Sequence, residues 1–208
     1  LYQLYNYFQM NTTSLSLNEP VGYLRKTTLV DFPARVACAV FLRGCNLRCP
    51  YCYNKNLVQP ESNTEIEDFI TLQDIYNHLE LRKNVLSGIV ISGGEPLLHS
   101  ATPQIITYAK HLGYKIKLDT NGTNPTKLKE LLNNNELRPD FIAMDIKTSF
   151  KNYGKLLPLS DETQTQKILD TLEKHNIKID LMYLGVLCMY LQGISLPIFA
   201  PLLMACHY

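Results

Sequence analysis

Apolar runs of strand length alternate along the chain with helix-like patterns. Val36–Leu42 (VACAVFL) is continuously apolar rather than alternating, the mark of a buried strand. Gly88–Ile91, Lys115–Asp119 and Phe141–Ile146 read as further short strands. Helix signals lie between them. Thr71-Leu72-Gln73-Asp74 has the form of a capping box opening a helix that runs toward Lys83. Thr102-Pro103 sets an N-cap before a proline at the first helical position, and Gly113 closes that helix. Asn124-Pro125 repeats the device ahead of Thr126–Asn133. Asp161 caps a helix through Lys174, with Ile168, Leu169 and Leu172 on one face, and a fifth strand starts at Lys178. This order predicts an α/β domain with a parallel sheet, open or curled into a partial barrel.

In such folds, ligands gather at the carboxyl ends of the strands. The residues just after each strand therefore belong together. Arg43–Cys52 (RGCNLRCPYC) follows the first of these strands and Ser92–Pro96 (SGGEP) the second. Asp119–Gly122 (DTNG) ends the third, and Asp145-Ile146-Lys147 ends the fourth.

Composition narrows the field. The chain has 208 residues, with 10 Gly, 11 Pro and a formal charge of +1. That is ordinary globular composition, and it excludes a disordered tail, a collagen-like repeat and a disulfide-dense miniprotein. Near-neutral charge leaves no electrostatic footprint for nucleic acid or an anionic membrane. Leu1–Gln9 lacks a basic start and is too short for a signal peptide. Met10 reads as a candidate initiator, and a reducing cytoplasm is the expected compartment.

Of the 6 cysteines, Cys45, Cys49 and Cys52 crowd into one loop with the spacing Cys-x3-Cys-x2-Cys. Three thiolates there can wrap one face of a metal centre. Zinc wants four ligands, usually as two paired elements, and no partner pair is evident. His78, His99 and His111 read as solvated side chains. A 4Fe-4S cluster normally takes four Cys, so three would leave one iron open to an outside ligand. The iron–sulfur reading is favoured, with zinc and buried free thiols as the alternatives. Cys38 lies within a strand, and Cys188 and Cys206 lie in the apolar tail; all three read as core.

The three cysteines, with Tyr51 before the last, resemble the signature of the radical S-adenosylmethionine (SAM) superfamily. Gly22–Pro33, the cysteine loop, Val90–Leu97, Lys117–Pro125 and Ile142–Thr148 are similar, in order, to motifs of the glycyl-radical activating enzymes. Within those, the anaerobic ribonucleoside-triphosphate reductase activating proteins are most similar. The resemblance covers residues 20–180 and implies a partial (β/α)6, TIM-barrel-like fold, incomplete at the C-terminus. It makes 1–19 an N-terminal extension and 181–208 an atypical tail.

The resemblance also implies the chemistry. A 4Fe-4S cluster on Cys45, Cys49 and Cys52 would chelate SAM at its open iron and cleave it reductively to a 5′-deoxyadenosyl radical. That radical would take hydrogen from a glycine of a partner glycyl-radical enzyme, with a flavodoxin- or ferredoxin-type protein as electron donor. Gly93, Gly94 and Glu95 would bring backbone close to the methionine amino group. Asp119 would accept from the ammonium, presented by the turn at Thr120, Asn121 and Gly122; that sequence is also good turn chemistry in its own right. Lys147 would meet the cofactor's carboxylate, and Asp145 would position Lys147 or help bind a cation. Tyr51 would pack beside the adenine or shield the cluster. Tyr53 stands where this subfamily often has His, and Arg25, Lys26 and Asp31 match family positions without a derivable role.

Every Asp, Glu, Lys and Arg lies at or before Asp180. The uncharged segment 181–208 is long enough to span a bilayer, about 20 apolar residues being needed. Pro197, Pro201 and Gln192 weaken that reading. It can also be core strand and helix; the favoured reading is a shifted reading frame or truncated gene replacing the family's last segment. Two further functions stay open: a radical SAM enzyme acting on a small molecule, such as a deazapurine synthase, and a non-catalytic iron–sulfur protein.

Overall fold

A computed structural model describes residues 15–58, 69–145, Lys147 and Leu156. The expected helix from Asp161, the strand from Lys178, the tail, Cys188 and Cys206 lie outside the described residues.

Strand β1 is Pro20–Thr28 and β2 is Ala37–Leu42. A single-turn helix, α1 (Lys55–Val58), follows the cysteine loop. A two-residue strand, β3 (Ile70–Thr71), leads straight into α2 (Leu72–Arg82). Then come β4 (Gly88–Gly93), a short 3-10 turn at Pro96–Leu98, α3 (Ala101–His111), β5 (Lys115–Thr120), α4 (Pro125–Asn133) and β6 (Phe141–Met144). The sheet order is β3-β1-β2-β4-β5-β6. The pairs β2–β4, β4–β5 and β5–β6 are parallel, as the alternation predicts.

The antiparallel strand β1 is not among the predicted strands, which begin at Val36. Its burial alternates poorly and it carries Arg25, Lys26 and two threonines, so no periodic signal marks it. Its pairing with β2 identifies it.

The capping box forms as read: Thr71 Oγ1 accepts from the Asp74 backbone N–H at 3.2 Å, and Asp74 Oδ2 accepts from the Thr71 backbone N–H at 2.8 Å. Asn124 caps α4 with Pro125 in its first turn. Gly113 ends α3, its N–H donating to the Lys110 carbonyl. The start of α3 is a correction. Its N-cap is Ser100, not Thr102, because the Thr102 hydroxyl turns back to donate to the Pro96 carbonyl at 2.6 Å.

One face of the sheet (Val40, Leu42, Ile89, Ile91, Ile116, Leu118, Ile142, Met144) packs with Leu72, Ile75 and Leu79 of α2, Ile105 and Ile106 of α3, and Leu128 of α4. The opposite face is thinner, with Ala37, Ala39 and Val90 beside Phe32, Phe41 and Phe141. Burial of the first face holds the strands in register. Their carboxyl ends are thereby brought to one edge.

Candidate cluster site at the strand ends

The loop after β2 is held from several sides. The Arg43 N–H donates to the Val21 carbonyl, the Gly44 N–H to that of Leu57, and the Arg48 N–H to that of Leu156, each within 2.9 Å. The Arg48 side chain folds under the loop and donates to the carbonyls of Cys45 at 2.7 Å and Leu47 at 2.9 Å. Cys45, Cys49 and Cys52 are free thiols and partly exposed, and Cys45 and Cys49 pack against Leu47 and Leu156.

Burial pushes the Cys45 thiol up, helped by the nearby Glu95 and Cys49, while the Leu47 N–H and Asn121 pull it down. Burial also raises Cys49; Lys147 and the Tyr51 hydroxyl oppose this, and Cys52 adds to it. The thiols are therefore close enough to feel one another in sequence, Cys45 with Cys49 and Cys49 with Cys52. Among the described residues, no three His, Cys, Asp or Glu gather on one point as a single ion would need. A cubane asks for something different: one thiolate at each of three separate corners, which a loop of free thiols fits. Cys38 stands apart in β2, fully buried, its thiol pushed up to about 12 by burial.

The glycine turn after β4 runs against the cysteine loop. A Cβ on Gly94 would lie 1.9 Å from the Gly44 carbonyl oxygen, and one on Gly93 (φ 115°) 2.2 Å from the Leu42 backbone nitrogen. Only glycine permits that approach. The Gly94 N–H donates to the Leu42 carbonyl and the Glu95 N–H to that of Gly44, both at 2.8 Å.

Glu95, expected beside the cofactor's amino group, turns its carboxylate inward and is 0% exposed. Oε1 accepts from the Leu97 N–H at 3.0 Å and the Thr120 hydroxyl at 2.8 Å, and Oε2 from the Asn121 N–H at 2.7 Å. Burial pushes its pKa up to about 7 even though these donors hold it down. Asn121 is buried too. Its Oδ1 accepts from the Thr123 N–H and hydroxyl, and its Nδ2 donates to Asn46 Oδ1 and toward Cys45 Sγ.

Asp119 pairs with Lys117 at 2.5 Å, the lysine being 4% exposed. Burial raises the Asp119 carboxyl, Lys117 pulls it back, and the neighbouring Asp145 raises it further. Asp145 pairs with Lys147 at 2.6 Å. Burial pulls Lys147 down, but Asp145, Cys49 and Tyr51 outweigh it and leave the ammonium above its ordinary range. The Tyr51 hydroxyl donates to the Lys147 carbonyl, tying the cysteine loop to the end of β6. Tyr53 is 88% exposed.

All the sequence-predicted site residues thus come to one end of the sheet. His99 differs from expectation: it is half-buried, and burial with the nearby Arg43 lowers it to about 4. Sequence reasoning missed Asn46, Thr123 and Lys117. A lysine interrupting the β5 apolar run was the available sign of the last.

Comparison with known proteins gives the same direction. The radical SAM superfamily profile matches residues 39–189. A provisionally named glycyl-radical enzyme activating enzyme of Methanocaldococcus jannaschii is 33% identical over 157 residues, covering 73% of this chain and 62% of that protein. A 7-carboxy-7-deazaguanine synthase of Aquifex aeolicus is 36% identical over 123 residues, 58% of this chain and 51% of that one. A pyruvate formate-lyase-activating enzyme of Clostridium pasteurianum is 29% identical, covering 57% of this chain and 48% of that protein. The chain therefore spans about half to three fifths of the length of these relatives.

Proposed function

The chain belongs to the radical SAM superfamily, and from that premise we propose that it is an activase installing a glycyl radical on a partner enzyme. Its α/β sheet is of the partial-barrel type of that superfamily, whose members use a 4Fe-4S cluster and S-adenosylmethionine. We assign Cys45, Cys49 and Cys52 as the residues that would hold the cluster. When bound, the cluster supplies one-electron reduction of a sulfonium.

The protein's part is placement. Gly93 and Gly94 lay bare backbone at the amino group of the cofactor's methionine, and Glu95 holds that turn from behind rather than touching the ligand. Asp119, paired with Lys117, accepts from the ammonium. Lys147, steadied by Asp145, meets the carboxylate. Tyr51, tied to the Lys147 carbonyl, would pack beside the adenine or shield the cluster. Asn121 braces the loop.

The observation that carries this reading is the trio of free thiols on one loop, clamped between the ends of β4, β5 and β6. The activase assignment is supported by the ordered motifs and by the archaeal relative. The proposed partner is anaerobic ribonucleoside-triphosphate reductase, and the proposed electron donor a flavodoxin- or ferredoxin-type protein. The Aquifex relative favours a second reading, action on a small deazapurine precursor. The test is to mix the reduced, reconstituted chain with SAM and an anaerobic reductase under strict anaerobiosis. A glycine-centred electron spin resonance signal on the reductase supports the activase. Release of 5′-deoxyadenosine without such a signal on any glycyl-radical enzyme favours the small-molecule reading.

A further inference from the structure

The Asn121 amide is aimed, not merely adjacent. The Thr123 backbone N–H lies 3.0 Å from Asn121 Oδ1, and a backbone N–H can only donate. The oxygen end is therefore fixed, and the Thr123 hydroxyl reinforces it at 2.7 Å. The NH2 end must then face the cysteine loop. One hydrogen goes to Asn46 Oδ1 at 3.0 Å, and Asn46 is itself held by Thr123 Oγ1 at 2.7 Å. The other points to Cys45 Sγ at 3.7 Å. The same sulfur takes the Leu47 backbone N–H at 3.3 Å. Asn121 is 5% exposed, so water does not compete for its amide, and its own backbone is latched to Glu95.

We propose that Asn121 is a positioning residue that sets the reduction potential of the cluster by donating a hydrogen bond to the Cys45 sulfur. The inference rests on the assignment of Cys45 as a cluster ligand. Adding one electron from an external donor such as dithionite puts more negative charge on the ligand sulfurs, with no bond made or broken. A donor aimed at sulfur stabilises that reduced state and raises the potential. A residue outside the cysteine motif would thus tune how easily the cluster is reduced.

Reconstituted wild type, Asn121→Asp, Asn121→Ala and Thr123→Val are titrated anaerobically against redox mediators, with the reduced cluster read by electron spin resonance. This signal comes only from loaded protein, so reduced occupancy does not blur it. Asn121→Asp keeps the acceptor for Thr123 and replaces the sulfur's donor with an oxygen. At the wild-type midpoint, its reduced-to-oxidised ratio falls at least tenfold, about 59 mV for one electron. Asn121→Ala shifts the same way by roughly threefold or more. Thr123→Val keeps the backbone N–H that aims the amide and stays within about twofold of wild type. Unmoved midpoints in both loaded Asn121 variants overturn the inference alone, as does an equal shift in Thr123→Val. A wild-type chain that takes up no cluster overturns both the inference and the ligand assignment beneath it.

Discussion

The backbone N–H of Asn121 donates to the Glu95 carboxylate at 2.7 Å, joining the residue after β5 to the turn after β4. The same carboxylate holds the Thr120 hydroxyl and the Leu97 N–H, and the Glu95 N–H reaches the Gly44 carbonyl beside Cys45. Three loops that meet at the strand ends therefore share one buried acid. Glu95, read from the sequence as part of a turn that brings backbone toward a ligand, also latches these loops through its side chain.

Removing that acid strands three buried donors. Glu95→Ala is expected to destabilise the fold by roughly 3–5 kcal/mol, since each orphaned group costs about 1–3 kcal/mol with partial relaxation. Glu95→Gln is milder, about 1–3 kcal/mol, because its amide must oppose one of the same donors. Urea unfolding of the folded variants measures both. Equal stability of wild type and Glu95→Ala would refute the latch.

The latch also has a pH signature. The folded pKa of Glu95, about 7, lies above the ordinary carboxylate value of 4.5. Its favourable contribution is then complete below about pH 4.5 and is lost as pH rises through about 7. Across that window, stability attributable to Glu95 should fall by roughly 3 kcal/mol at 1.36 kcal/mol per unit. Wild type minus Glu95→Gln, compared at pH 5 and pH 8, isolates it. A flat difference would mean the acid stays ionised in the fold.

Gly94→Ala drives a methyl group against the Gly44 carbonyl, where 1.9 Å separates the ideal Cβ from oxygen. The obstacle is the Gly44 backbone and the Cys45 Cβ, with no flexible tip to yield, so the cysteine loop must shift. The expected result is a circular dichroism spectrum close to wild type with cluster uptake largely lost. Full uptake by this variant would show that the loop tolerates the displacement.

Cysteines separate cleanly by position. Cys49→Ala is expected to abolish the visible cluster absorbance after reconstitution. Cys38→Ala, deep in β2, should keep it and cost only about 1 kcal/mol of stability. Persisting absorbance in Cys49→Ala, or its loss in a folded Cys38→Ala, would break the ligand assignment.

Local chemistry made much of this legible. Thr71 and Asp74, Asn124 and Pro125, and Gly113 announce helix ends through bonds within a few residues. The apolar runs gave four parallel strands, and the rule of strand ends then put the cysteine loop, Gly93–Glu95, Asp119 and Asp145 side by side. What could not be read depends on distant partners. Strand β1 is defined by pairing with β2, and Thr102 forsakes capping for the Pro96 carbonyl. The burial of Glu95 and Lys117 follows from what packs around them, which no window of sequence contains.

The most direct test of the central claim is anaerobic reconstitution with iron and sulfide, followed by reduction and addition of S-adenosylmethionine, with metal content and 5′-deoxyadenosine both assayed. The account predicts matched iron and sulfide at the level of one cubane per chain, lost in each of Cys45→Ala, Cys49→Ala and Cys52→Ala, and release of 5′-deoxyadenosine by the wild type. Stoichiometric zinc in place of iron and sulfide, or a reducible cluster that never cleaves the sulfonium, would contradict it.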